Sequence, residues 1–177
     1  MPADRTYNVL FLCTGNSARS IMGEALMNHM AEDRFHAYSA GSSPKSGGVN
    51  PMTIEVLSEA GISTEGLYSK SWDAFAGADA PKMDFIFTVC DDAAGETCPV
   101  WPGQPMTAHW GIEDPAAVDG ADFKRKAAFE QAMTYLRNRI SVFVNLPLES
   151  IDRMALTSKL QGIGEMEGST RRSAAAN

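Results

Sequence analysis

The stretch NVLFLCTGNSARSIMGEAL, residues 8 to 26, decides the fold: an unbroken apolar run ends on a cysteine, six polar or small residues follow, and an amphipathic pattern begins. The apolar run predicts a short strand covered on both faces. Over residues 17 to 31, Ala18, Ile21, Met22, Ala25, Leu26 and Met30 fall on one face at helical spacing. Cys13 therefore sits where a buried strand gives way to a helix N-terminus. There the backbone N–H groups of Thr14, Gly15, Asn16, Ser17, Ala18, Arg19 and Ser20 are placed to converge on one point, with the positive end of a helix dipole behind them. That is a cradle for an anion. Gly15 permits a tight loop, Asn16 and Ser17 can pin it, and Arg19 offers a planar fork for two oxygens of a tetrahedral oxyanion. The same field favours thiolate over thiol at Cys13, which makes it a candidate nucleophile. Cys-x5-Arg spacing alone is weak, because a lone cysteine ending a strand is more often a small buried hydrophobe. Its place on a strand-to-helix turn is what favours the active reading.

Outward from this stretch, residues 84 to 89 (DFIFTV) form a second continuous apolar run and residues 35 to 40 (FHAYSA) a more mixed strand candidate. Asn50-Pro51 opens a helix that ends near Gly61. Residues 122 to 144 repeat Phe123, Ala127, Leu136, Ile140 and Phe143 at helical spacing. Strands alternating with helices imply βαβ units and a parallel sheet. Residues 41 to 48 and 90 to 105 have loop composition. We expect one domain over residues 1–146, then an extension over 147–177 with a helix at 149–160 and a flexible tail, because that tail has few large apolar residues.

Composition narrows the function. At 177 residues and 44% hydrophobic content the chain suits a single core, and its net charge of −7 disfavours nucleic acid or an anionic membrane as partner. No run approaches the length of a membrane span and the N-terminus has no leader pattern, so a soluble, cytoplasmic protein is expected. Three cysteines, Cys13, Cys90 and Cys98, are an odd number with no Cys-x-x-Cys pair. They argue against a disulfide framework and a structural zinc site.

The segment VLFLCTGNSARS closely resembles the Cys-x5-Arg-Ser loop of the low-molecular-weight protein tyrosine phosphatase fold, and in particular the thioredoxin-coupled arsenate reductases built on it. The resemblance spans most of residues 7 to 145. It implies a three-layer α/β/α architecture with a four-stranded parallel sheet and the loop at the carboxyl end of the first strand. HWGIEDPA, residues 109 to 116, is similar to the family's Trp-Gly-x-x-Asp-Pro element, which maps its general-acid aspartate onto Asp114. Pro115 biases Asp114 toward an extended loop conformation, where a carboxylate can protonate a leaving oxygen.

The segment TVCDDAAGETCPVWPG (88 to 103) separates branches of the family. A plain phosphatase has no need of Cys90 and Cys98, whereas a two-electron reduction of arsenate uses three thiols in relay. The resemblance implies that Cys13 attacks arsenate held by the loop and Arg19, and that Cys90 attacks Cys13 to release arsenite. Cys98 then moves the disulfide outward for reduction by thioredoxin, glutaredoxin with glutathione being the competing reductant. No tightly bound cofactor is expected. A potassium ion would match Asn16, Glu24, Ser39 and Asp73, against the plain reading of Glu24 and Asp73 as solvated helix-face carboxylates. Ala18 fills the slot where related phosphatases carry a second loop cysteine. Two alternatives stand beside the reductase: a hydrolytic phosphatase on the same fold, and a non-catalytic oxyanion or redox sensor.

Overall fold

The computed structural model describes residues 5–91, 101 and 103–170. Strand β1 (Tyr7–Cys13) leads through the cysteine loop into helix α1 (Arg19–Ala31), then strand β2 (Phe35–Gly41) and helix α2 (Pro51–Glu59). A short 3-10 helix (Trp72–Phe75), strand β3 (Phe85–Thr88) and strand β4 (Met106–His109) follow. After a second 3-10 turn (Pro115–Ala117) come the long helix α3 (Asp122–Val144) and helix α4 (Arg153–Gly164). The four strands are all parallel, in the order β2-β1-β3-β4. Among the described residues no helix is long and apolar enough to cross a membrane.

The chain leaves β1 toward β2 on one side and later returns to place β3 on the other. The crevice of an open parallel sheet opens at such a reversal, beyond the carboxyl ends of the strands. Cys13 ends β1, and Cys90 follows β3 by two residues. Both cysteines therefore stand at this edge.

Alternation along β1 sends Val9, Phe11 and Cys13 to one face and Leu10 and Leu12 to the other. The first face carries the larger core, which takes in Met22 and Leu26 of α1, Leu136, Ile140 and Phe143 of α3, and Leu160 of α4. The second face packs Leu10, Leu12 and Ile86 beneath Phe75 and Met83. At the centre Trp110 stacks on Phe87, with ring centroids 3.7 Å apart, and Phe143 meets both edge-on.

Three sequence expectations change, and one strand appears where none was read. The fourth strand is Met106–His109, a four-residue piece with neither an apolar run nor strict alternation. Helix α3 has the expected bounds, yet Phe123 is 80% exposed and Ala127 is also exposed; its buried face begins at Phe129. The last helix starts at Arg153 rather than 149. Asp152 caps it by accepting from the Ala155 N–H at 2.9 Å, while residues 147–151 form a turn closed on the Pro147 carbonyl. Residues 165–170 do not form a loose tail: Thr170 N–H donates to the Gly111 carbonyl at 3.1 Å, and Ser169 bridges Ile112.

Candidate active site

The loop after β1 is shaped by what its carbonyl groups do. Thr14 O accepts from Ser43 N at 3.0 Å, Gly15 O from Lys45 N at 3.1 Å, and Ser17 O from Asn50 N at 3.0 Å and Thr53 Oγ1 at 3.1 Å. Asn16 O accepts from Ser69 Oγ at 2.5 Å. Each peptide is planar and trans, so a carbonyl turned outward sends the following N–H inward. The amides of residues 15 to 18 thus face the pocket, a narrower set than the Thr14 to Ser20 convergence expected from the sequence.

The tight conformation falls one residue later than expected. Asn16, not Gly15, has positive φ (46°), and its buried side chain secures the strain by donating to Ser20 Oγ at 2.8 Å and accepting from Lys70 N at 2.9 Å. A Cβ at Gly15 would lie 3.1 Å from the exposed Lys45 side chain, which can give way by a few tenths of an ångström. Gly41, the register partner of Cys13, is under a stricter demand. A Cβ on it would stand 2.5 Å from the Thr14 carbonyl oxygen and 2.7 Å from that of Cys13, and both are backbone atoms.

Above the loop lies a cavity of about 230 Å³, lined by Cys13, Thr14, Gly15, Ser17, Ala18 and Arg19 together with Ser43, Lys45, Cys90 and Asp114. Arg19 points its guanidinium over the loop, donating from Nη1 to the Ile112 carbonyl at 2.8 Å, with Nη2 3.8 Å from Asp114 Oδ2. Asp114 caps the Pro115–Ala117 turn by accepting from Ala116 N at 3.0 Å. Its free oxygen faces Arg19. The sequence reading missed Lys45, the lone basic residue of GSSPKSGG. A cation in a glycine-rich loop carries no signal until the loop is seen to fold over the cradle.

Cys13 and Cys90 are buried thiols in hydrogen-bond contact with each other. Cys90 Sγ also accepts from Thr14 N at 3.3 Å, so one loop amide is spent on holding the second sulfur. Proximity changes the expected electrostatics. The Cys90 hydrogen bond, then burial, push the Cys13 thiol up, and the Arg19 guanidinium opposes them. Two thiolates side by side repel, so ionising one sulfur makes the other hold its proton. Cys98 lies outside the described residues.

Of the positions matched to potassium, Glu24 lies beside an ammonium group, and Ser39 and Asn16 bond to its neighbours. Ser39 Oγ donates to Glu24 Oε1 at 2.6 Å, Lys70 Nζ lies 3.8 Å from the same oxygen, and Lys70 N–H takes Asn16 Oδ1. The Lys70 and Glu24 side chains are only 12% and 14% exposed. Burial pushes the Glu24 carboxyl up and the Lys70 ammonium down, and each partner's charge opposes the effect on the other. Asp73 is exposed at the start of the Trp72–Phe75 turn. Glu24 Oε1 thus already faces a cation, the Lys70 ammonium.

Comparison with known proteins agrees with this architecture. The low molecular weight phosphotyrosine protein phosphatase family matches residues 8–152. An arsenate reductase of Shouchella clausii is 34% identical over 135 residues, 76% of this chain and 93% of its own length, and that of Bacillus subtilis matches to the same extent. Among solved structures, arsenate reductase from Archaeoglobus fulgidus superposes with a TM-score of 0.60 at 29% identity, covering 78% of this chain and 99% of that one. A thioredoxin-dependent arsenate reductase of Corynebacterium glutamicum gives 0.57 at 25% identity, covering 84% and 65%. From the cysteine loop, the sheet order and this match over residues 8–152, the chain belongs to the low molecular weight phosphotyrosine protein phosphatase family.

Proposed function

We propose that this protein reduces arsenate to arsenite by a thiol relay. One observation carries the reading: a second thiol, Cys90, hydrogen-bonded to Cys13 at the base of an oxyanion-sized cradle. Hydrolysis of a phosphoester needs one nucleophile there, whereas reduction of arsenic(V) needs two electrons, which two thiols supply on joining. The naming of the S. clausii and B. subtilis relatives supports the same choice.

In this mechanism the Cys13 thiolate attacks arsenic while the inward amides and the Arg19 fork hold the oxyanion. Asp114, facing Arg19 across the cavity, protonates the departing hydroxide, which leaves as water. Cys90 then attacks Cys13 Sγ. The sulfur–sulfur bond forms as the sulfur–arsenic bond breaks, and its electron pair departs with arsenic as arsenite. Two thiols are oxidised to one disulfide and arsenic(V) is reduced to arsenic(III). Cys98 in turn attacks Cys90, and the resulting Cys90–Cys98 disulfide is reduced by thioredoxin, a reductant favoured by the C. glutamicum relative. Such chemistry suits the reducing cytoplasm.

The test is arsenate-dependent NADPH consumption with thioredoxin and its reductase, with the glutaredoxin system run in parallel. We expect turnover with thioredoxin. In Cys98→Ala we expect one arsenite per enzyme and a Cys13–Cys90 disulfide by mass spectrometry. Phosphoester hydrolysis without arsenite release would leave a phosphatase, and thiol oxidation without any arsenite would leave a sensor.

In place of potassium, we read Lys70 as the resident charge behind the loop. Replacing potassium by sodium in the assay is expected to leave the rate unchanged, and stimulation by potassium would restore the ion.

A further inference from the structure

Helix α4 and the residues after it lie beyond the family match, which ends at residue 152. They are nevertheless built into the edge of the sheet that carries the thiols. Trp110 Nε1 donates to the Leu160 carbonyl at 3.1 Å, and buried Arg139 donates to the carbonyls of Glu167 and Met166 at 3.1 and 3.0 Å. These contacts bring residues 169 and 170 alongside 111 and 112.

At the end of this path Thr170 Oγ1 donates to Asp91 Oδ1 at 2.7 Å. His109 Nε2 lies 2.7 Å from the same oxygen, and its Nδ1 lies 2.7 Å from Thr88 Oγ1. A carboxylate only accepts, so Nε2 carries the proton and, in the neutral ring, Nδ1 accepts from the Thr88 hydroxyl. Thr88 and His109 are register partners on β3 and β4, which fixes the imidazole to the rigid sheet. Burial works against the Asp91 carboxylate, yet the Thr170 and His109 hydrogen bonds and the charge of Arg19 hold it below the ordinary range. Asp91 directly follows Cys90. Its side chain is thus held from one side by the sheet and from the other by the C-terminal segment.

We infer that Thr170 is a positioning residue for Cys90: with His109 it fixes Asp91 and so sets the Cys90 thiol against Cys13. The inference rests on the reading of Cys90 as the second thiol of the relay. It gives the C-terminal segment a part in the chemistry although none of its residues touches the substrate. Oriented attack is sensitive to sub-ångström displacement, and a single hydrogen bond at the residue next to the nucleophile is enough to matter.

The experiment compares Thr170→Val and Thr170→Ser in a Cys98→Ala background, which halts the relay at the Cys13–Cys90 disulfide. Its rate of formation is followed by quenching, alkylation and mass spectrometry. Arsenate drives one arm. Diamide, which takes up the two electrons and two protons of the thiols, drives the other. Thr170→Val should slow disulfide formation at least about fivefold in both arms while phosphate affinity stays within about twofold, and Thr170→Ser should restore the rate. Parental rates in Thr170→Val, an equally slow Thr170→Ser, or a matching loss of phosphate affinity would each overturn the assignment. If no variant, nor the parent, responds to arsenate, the functional reading fails while the diamide arm still measures positioning. Asp91→Ala removes the acceptor without altering the C-terminal segment; it should slow the same step even if Thr170→Val does not fold, and a parental rate there would also refute the idea.

Discussion

The two strand ends that meet at the cavity are held in opposite ways. After β1, residues 14 to 17 are fixed mainly through their own backbone, whose outward carbonyls are taken by residues 43, 45, 50, 53 and 69, with the Asn16 side chain adding two bonds. After β3, the Cys90 sulfur accepts from the Thr14 N–H, and the Asp91 carboxylate is gripped by the side chains of Thr170 and His109. The difference teaches how an oxyanion site and a thiol relay coexist. An anion cradle must be in place before substrate arrives, because donors that reorganise during reaction lose most of their value. A relay thiol must first attack and then be attacked. Side-chain tethers suit that task, since each can be released without unfolding a strand.

Three substitutions would sharpen or break this contrast. The largest effect is expected for Arg19→Lys: a point charge cannot reproduce a bidentate fork, and arsenate kcat/KM should fall about a hundredfold with the thermal midpoint nearly unchanged. Kinetics equal to the parent would show that the loop amides suffice. Next comes Gly41→Ala. Its new methyl meets the carbonyls of Cys13 and Thr14, so the cradle itself must shift, at a cost of about 1–3 kcal/mol. Calorimetry should show a midpoint lowered by several degrees, together with weaker phosphate binding. An unchanged affinity would mean the loop is more compliant than its hydrogen bonds indicate.

The smallest effect concerns Cys90→Ala. Its hydrogen bond is the leading cause that pushes the Cys13 thiol up. Removing it lowers the Cys13 pKa, so more thiolate is present at any given pH. The pH profile of iodoacetamide alkylation at Cys13 should move to lower pH, with a rate at neutral pH roughly tenfold higher. A profile unmoved, or moved upward, would separate the two sulfurs electrostatically.

The cysteine loop, β1, β2, β3, α2 and the full extent of α3 are legible in the sequence because each is encoded locally, by an apolar run, a cap or a helical repeat. Cys13, Arg19 and Asp114 come together as their spacing and resemblance imply. What stays hidden is set by contacts distant in the chain. Strand β4 is only four residues long, and its pairing with β3 gives it a form its composition does not announce. Phe123 has the right helical spacing but lies on a turn of α3 that reaches past the core. Gly41, Lys45, Lys70 and Thr170 look like ordinary loop residues until the fold sets them against residues 14, 15, 24 and 91.

Arg139 carries one more consequence, in the order of synthesis. Its guanidinium is wholly buried, and two of its acceptors are the carbonyls of residues 166 and 167, which lie 27 and 28 positions later in the chain. Every strand of the sheet leaves the ribosome before those acceptors exist. A chain paused in between would have to leave its longest helix undocked at Arg139 or bury an uncompensated cation, which is strongly disfavoured. Closure of the core is therefore timed by the arrival of residues 166 and 167. The protein is barred from completing its fold before the segment that fastens Asp91 has been made.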